Sequence, residues 1–409
     1  MNTENQNIDT NAYITKQEGS VEFFLHDLDE NVIPSKSMNV FYNKRMEINR
    51  DISILAILAY NRLFNQEPLV VVDSMAASGI GSIRLLKNIE NIDKIYLNDI
   101  NPVAVELIKK NLKINNIESD KVEVINKDAN LLFSEFSRRS TLSDVISIDP
   151  FGTPNLYINS ALRSIKKDNG LLCITATDTA VLFGIKPKVC IRKYMAKPLH
   201  TEYCKEIGAR ILLSFISRIA HINNIGIKPL LTFYSNHFIR IFAITFRGKS
   251  KILKNLSKNY GYVIHCKQCG DRKSFIEDFL TVPQKCSICL SEKYLSYSGP
   301  LWAGELHQKS YLEELSLLNE RFNFKNKNRI RKILNYAVSE INMPVSYYNI
   351  HKISQQLKLP FIPKLEEIIK LIEEKGYKAS RTHFDFISIK TDMKIDELKK
   401  VLTQIEKLD

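Results

Sequence analysis

No apolar run in this 409-residue chain reaches the length of a membrane span. The closest, Ile211 to Ala220, is broken by Arg218, so no spanning helix and no membrane partner are expected. The first twenty residues, Met1 to Ser20, have neither a basic region nor an apolar core, and we expect a frayed polar tail rather than a secretory leader. No internal repeat and no low-complexity tract is present. The chain is therefore expected in the cytoplasm, with no obligate protein partner implied. Acids are the scarcer charge, 45 against 58 lysines and arginines. The excess is uneven: residues 249–409 carry 28 cations against 19 acids, and residues 1–248 carry 30 against 26. A distal basic surplus points to a polyanion such as nucleic acid, or to a lysine-rich solvated surface.

Residues 39–248 alternate short apolar runs with helical patterns. Met46 to Phe64 has a helical rhythm. Leu69–Val72, Ile95–Leu97, Val122–Ile125, Val145–Ile148 and Leu171–Thr175 read as strands, with helical stretches from Ile80, Pro102 and Leu156. Leu230–Tyr234 and Phe238–Phe246 read as a closing hairpin. The alternation predicts an α/β, doubly wound, Rossmann-like parallel sheet with an antiparallel edge, preceded by an extension over 1–38. A basic, polar stretch from Arg247 to Ser257 marks a boundary. Beyond it, 249–409 is expected to form an α+β domain with a cysteine module over 263–292 and mostly helical structure from Tyr311 to Ala337. Helices at Tyr348–Leu357 and Pro363–Lys375, then strands at Lys378–Phe384 and Phe386–Lys390, give the order of a winged-helix-like end; protein-contact modules share that order.

The first strand runs into Asp73-Ser-Met-Ala-Ala-Ser78-Gly79-Ile-Gly81-Ser82. Small residues between a strand and a helix let backbone approach a ligand, and Gly79 is the candidate contact. Asp99 follows Gly79 by 20 residues, at the next strand tip, where a carboxylate binds ribose hydroxyls. A dinucleotide site needs a third glycine where Arg84 stands, so an adenosyl ligand without phosphates fits better. Asp128 suits an adenine amine, or caps the helix at Leu131; Ala129 beside it keeps the wall small. Asp73, Asp99, Asp128 and Asp149 close four successive strands. S-adenosylmethionine is the ligand that fits.

Val145-Ile-Ser-Ile-Asp149-Pro150-Phe151-Gly152 puts an acid, a carbonyl and a flat ring at the same sheet edge. The Asp149 carboxylate and Pro150 carbonyl can accept both protons of an exocyclic amine while Phe151 stacks on the base. Cys266-x-x-Cys269 and Cys286-x-x-Cys289, sixteen residues apart, have the spacing of a structural four-cysteine zinc site; a pair of redox thiols is the plainer alternative. Lys186, Lys188, Arg192 and Lys193 follow the fifth strand and are candidates for gripping RNA. Lys325, Lys327, Arg329 and Arg331 form a second acid-free run, in which Phe322 and Phe324 either stack on bases or sit in the core.

These residues together resemble the tRNA (guanine-26 N2)-dimethyltransferase family. The likeness runs through Val40-Phe41-Tyr42-Asn43, Ile48-Asn49-Arg50-Asp51, Leu97-Asn-Asp99-Ile100, Asp128-Ala129-Asn130 and Asp149-Pro-Phe-Gly-Thr-Pro154. It continues in Thr175-Ala-Thr-Asp178-Thr-Ala180, Arg192-Lys-Tyr194, Gly299-Pro-Leu-Trp302-Ala-Gly304, Tyr377-Lys-Ala-Ser-Arg381-Thr-His383-Phe384 and Ile389-Lys-Thr391. The resemblance implies transfer of one or two methyl groups from S-adenosylmethionine to a guanine N2 amine in tRNA. It implies that Arg50, Asp99, Asp128 and Ala129 hold the cofactor, that Asp149 is the catalytic acid, and that Phe41 and Phe151 flank the base. Arg381 lies in its distal motif and joins the RNA-contact candidates. An arginine usually follows the Ser/Thr-Gly-Ile of that family; here Gly81 stands there, and Arg84 one turn on is the candidate replacement. Two other readings stay open: an amine methyltransferase acting on another RNA or DNA, and a zinc-containing RNA-binding protein with a weakened cofactor site.

Overall fold

A computed structural model describes residues 13–27, 37–276 and 281–405. The chain opens with a hairpin, β1 (Tyr13–Glu18) and β2 (Val21–His26), and then α1 (Glu47–Leu63). Next come β3 (Leu69–Asp73), α2 (Ile80–Asn88), β4 (Ile92–Asp99), α3 (Pro102–Ile114), β5 (Val122–Asn126), α4 (Ala129–Arg138), β6 (Val145–Ile148), α5 (Asn155–Ser164) and β7 (Leu171–Ala176). Three helices, α6 (Thr179–Leu182), α7 (Pro187–Tyr194) and α8 (Cys204–Ile222), lead to the strands β8 (Gly226–Ser235) and β9 (Phe238–Phe246). The sheet order is β5-β4-β3-β6-β7-β9-β8, with β9 alone running antiparallel to the other strands. Strand order reverses between β3 and β6, so the carboxyl ends of these two strands open a crevice; such switch points are where open α/β sheets bind ligands.

Apolar side chains on one sheet face meet α1 and α2, and those on the other meet α4, α5 and α8. The frayed tail expected for Met1 to Ser20 is corrected over its described part. Residues 13–18 pair with β2, whose Val21, Phe23 and Leu25 alternate into the core, and Glu18 is buried with them; residues 1–12 lie outside the described residues. The polar character of β1 hid this, because the burial is supplied by its partner strand.

The distal half begins with α9 (Lys249–Asn259), a helix where the sequence read as a basic linker. It has one buried apolar residue, Ile252, which is why no amphipathic pattern announced it. A three-stranded sheet, β10 (Tyr260–Cys266), β11 (Arg272–Phe275) and β12 (Leu295–Trp302), carries the cysteine module. The chain then returns to the first sheet: α10 (Lys309–Arg321) and α11 (Lys327–Ser339) cover α1, and the Tyr311 hydroxyl donates to the Ala56 carbonyl at 2.7 Å. The end consists of β13 (Tyr348–Asn349), α12 (Ile350–Leu357), α13 (Leu365–Glu374), β14 (Ala379–Arg381), β15 (Ser388–Thr391) and α14 (Ile395–Ile405) around its own core. The closing helix α14 was not anticipated.

Candidate active site

Four carboxylates lie along the carboxyl edge of the sheet because each ends a parallel strand or the turn after one. Asp73 closes β3 and accepts the Ser82 hydroxyl at 2.7 Å. Burial pushes its carboxyl up to about 6, the Ser82 bond opposes this, and the nearby Asp149 charge adds to it. Asp99 closes β4 and ties two loops together, accepting the Ala77 amide at 2.8 Å and the Asn101 amide at 2.9 Å. Between them the chain turns at Gly79, whose φ is +76° and where an added Cβ would stand 3.2 Å from the Ile108 side chain. Only glycine suits that position, so α2 starts close to the crevice. Asp128 caps α4, its Oδ1 accepting the Asn130 and Leu131 amides at 2.8 and 3.3 Å, and Ala129 behind it is buried. The capping alternative is thus real, and it fixes the orientation of the carboxylate's other oxygen.

Arg50, on α1, enters the same crevice. Its Nε and Nη2 form a fork on Glu18 at 2.6 and 2.5 Å, and Nη2 also donates to the Asn43 carbonyl at 3.2 Å. Gly81 borders this space: a Cβ there would lie 3.9 Å from Arg50 Cδ and 4.0 Å from Asp73 Oδ2. The expectation that Arg84 replaces the missing arginine is overturned. Arg84 is buried and committed to two acids, Glu18 at 2.7 Å and Asp51.

Opposite these groups stands Asp149. Burial raises its carboxyl above the usual range, against the opposing charges of Arg240, Arg50 and His237 and a hydrogen bond from Thr175. Asn49 donates to its Oδ2 at 3.4 Å. After Pro150, Phe151 is 46% exposed and meets Phe41 edge-on, ring centroids 4.6 Å apart, so two aromatic surfaces flank the acid. The loop is held from behind. The Gly152 amide donates to Thr177 Oγ1 at 2.7 Å, and the Thr177 amide returns a bond to the Gly152 carbonyl at 2.9 Å. The Tyr194 hydroxyl donates to Asp178 at 2.8 Å and accepts from Thr153 at 2.9 Å, which joins the acid loop to the end of α7. Lys186, Lys188 and Arg192 are exposed near that joint, while Lys193 lies 3.6 Å from Asp178.

The second basic run is placed differently. Lys327 and Arg331 pair with Glu320, and Arg329 donates to Ser235 and Asn236. Lys325 is exposed, and Arg381 pairs with Glu366 and donates to the Phe386 carbonyl. Phe322 and Phe324 stack on each other at 4.8 Å and pack against the core, which favours the core alternative over base stacking. Three residues near the acid were missed: Asn49, His237 and Arg240. Arg240 is buried on β9, donates to Thr175 Oγ1 at 2.6 Å, and lowers both Asp149 and Asp73 by its charge. A lone cation in the apolar run Phe238–Phe246 was the available signal. His237, in the turn before β9, meets Asn43 at 3.3 Å.

The four cysteine sulfurs close into one group: Cys266 to Cys289 is 3.6 Å and Cys269 to Cys286 is 3.7 Å. A disulfide would need about 2 Å. A tetrahedron of Zn–S bonds of about 2.3 Å places sulfurs about 3.8 Å apart, so the residues fit that ion. A buried His307–Glu340–His383 group also brings its donors within 4.8 Å. There Glu340 accepts the His383 amide and Nδ1–H, while Lys390 and Arg210, both on Glu206, already supply positive charge. It reads as a joint between three segments.

Among the described residues no helix is long and apolar enough to cross a membrane. Residues 19–403 match the family described as N2,N2-dimethylguanosine tRNA methyltransferase. A tRNA (guanine(26)-N(2))-dimethyltransferase of Methanosphaera stadtmanae is 37% identical over 390 residues, covering 95% of this chain and 96% of that protein. A tRNA (guanine(26)-N(2)/guanine(27)-N(2))-dimethyltransferase of Aquifex aeolicus is 33% identical, covering 95% of each. The structure of Trm1 from Pyrococcus horikoshii with S-adenosyl-L-methionine superimposes with a TM-score of 0.81 at 32% identity, covering 95% of this chain and 99% of that one. With an open α/β sheet that carries acids along its carboxyl edge, and matches along nearly its whole length, this chain belongs to the N2,N2-dimethylguanosine tRNA methyltransferase family.

Proposed function

We propose that this protein transfers one or two methyl groups from S-adenosylmethionine to the exocyclic N2 amine of a guanine in tRNA, at position 26 or its neighbourhood. The observation that carries this reading is the pairing of Asp149-Pro150-Phe151 and Phe41 with the Arg50, Asp73, Asp99 and Asp128 set across one switch point. Asp99 is offered to ribose hydroxyls, Asp128 and the Ala129 wall to the adenine, and Arg50 to the amino-acid end, with Asp73 and Gly79 lining the approach. The cofactor, when bound, supplies an electrophilic methyl on a sulfonium.

The chain's own groups do the rest. A guanine amine is a weak nucleophile because its lone pair is delocalised into the ring. Phe41 and Phe151, in edge-on contact with each other, offer an aromatic surface beside the flipped base. The Asp149 carboxylate and Pro150 carbonyl accept the two amine protons, which turns the lone pair toward the methyl. Most of the acceleration comes from this alignment. The raised proton affinity of the half-buried Asp149 suits it to take the proton released. The amine has two protons, so two transfers are possible.

Lys186, Lys188, Arg192 and Lys193 form the first grip on the RNA backbone, beside the acid loop. Lys325, Lys327, Arg329, Arg331 and Arg381 form a second, exchanging internal partners for phosphates. Cys266, Cys269, Cys286 and Cys289 hold a structural zinc ion that stiffens the distal sheet, in a reducing cytoplasm where the thiolates persist. Incubation with labelled cofactor and either unmodified tRNA or duplex DNA tests the substrate class. Label in tRNA alone is expected, and equal labelling of DNA would defeat the proposal.

A further inference from the structure

We propose that Glu18, carried by the N-terminal hairpin, is a positioning residue for the cofactor: it fixes the Arg50 guanidinium so that its remaining edge meets the cofactor's amino-acid carboxylate. The inference rests on the reading above that Arg50 and Asp99 hold S-adenosylmethionine. That carboxylate is the ligand's one anionic group, and Arg50 is the cation beside Asp73 and Gly81 at the crevice. An arginine has many rotamers, and freezing them only when the ligand arrives would cost affinity.

Glu18 removes that freedom in advance. Both its oxygens are engaged on the fork, at 2.6 Å to Nε and 2.5 Å to Nη2, the bidentate geometry that fixes a guanidinium plane. Tyr42 donates its hydroxyl to Oε2 at 3.1 Å, and its ring lies under Arg50 at 5.4 Å. The side-on fork uses Nε and Nη2 and leaves Nη1 for a ligand. Burial alone would raise the Glu18 carboxyl, but Arg50 and Arg84 bring it below the usual range, so it stays charged near neutral pH. Arg84 is committed elsewhere: it is buried, with Nη1 on Glu18 and Nη2 on Asp51. Gly81 offers no side chain. The burden on Arg50, and hence on Glu18, is correspondingly greater.

The test is calorimetric titration of the full chain with two ligands. S-adenosylhomocysteine keeps the amino-acid end, and methylthioadenosine keeps the nucleoside and lacks it. Glu18→Gln should weaken S-adenosylhomocysteine on the order of tenfold, the scale of one charge-assisted hydrogen bond. Methylthioadenosine should bind as in wild type, which also reports that the variant is folded. Glu18→Asp, keeping the charge but shortening the reach, should show the same split, and Asp51→Asn should show none. Unchanged or tighter S-adenosylhomocysteine binding in Glu18→Gln overturns the proposal, as does equal loss of both ligands in both Glu18 variants. Wild-type protein that binds neither ligand would instead sink the cofactor reading itself.

Discussion

Replacing Asp149 by Asn keeps the shape of the side chain and changes one acceptor oxygen into a donor. In the crevice that donor faces the guanine amine, so an acceptor pair becomes a donor facing a donor. The fold should tolerate the change, because Asp149 is held by hydrogen bonds from Asn49 and Thr175 and by the fields of Arg240 and Arg50. Removing the charge also relieves a half-buried carboxylate, so stability should not fall. Methyl transfer should drop at least ~100-fold, the usual scale for a lost acid–base group, equivalent to about 2.7 kcal/mol in the barrier. Cofactor affinity should stay within about threefold, since Asp149 is placed on the base side and is not among the groups proposed to hold the ligand. Single-turnover transfer to tRNA, with calorimetry on S-adenosylhomocysteine, separates the two effects. Turnover within about tenfold of wild type would refute the role given to Asp149.

Three further outcomes follow from the same geometry. Asp73 has a folded-state affinity for its proton well above that of the unfolded chain, so below pH 3.8 both states are protonated and no cost arises. As pH rises toward 6 the unfolded state ionises first and the folded state loses stability. Asp73→Asn should therefore stabilise the ligand-free protein at pH 7 by on the order of 1–2 kcal/mol, read as a higher melting temperature, while weakening S-adenosylhomocysteine; a lower melting temperature would contradict this. Phe151→Leu should raise the KM for tRNA and lower kcat several-fold without changing cofactor binding, measured by steady-state assay, because Phe151 is exposed and touches the base side of the crevice. Cys286→Ser should remove about one zinc per chain by elemental analysis and loosen the β10–β12 sheet in hydrogen exchange, with the first sheet's protection kept.

Much of the site was legible because its residues sit where strand periodicity ends. Leu69–Val72 and Val145–Ile148 are short runs of parallel-strand length, apolar but for Ser147, and the acid following each marks a carboxyl end. The order in which strands pair, which puts Asp73 beside Asp149, was not read from the sequence, because alternation and the crossover rule give parallel strands and handedness but leave their order open. The N-terminal hairpin was hidden because β1 is polar and its buried Glu18 is stabilised by Arg50, Arg84 and Tyr42, all distant in sequence. Arg84 was misassigned for the same reason: spacing on α2 showed its proximity to Gly81, and nothing local revealed the acids that claim it. The return of α10 and α11 to the first core is likewise non-local, since an amphipathic helix does not announce which face it will cover. In the distal basic run, charge composition suggested RNA contact, whereas Glu320 already engages two of the cations.

The most direct test of the account is mass-spectrometric nucleoside mapping of unmodified tRNA after incubation with the purified protein and S-adenosylmethionine. The account predicts N2-methylguanosine and N2,N2-dimethylguanosine confined to one or two guanines, abolished in Asp149→Asn. Methylation on a ring nitrogen, on ribose, or on no nucleoside at all would contradict it.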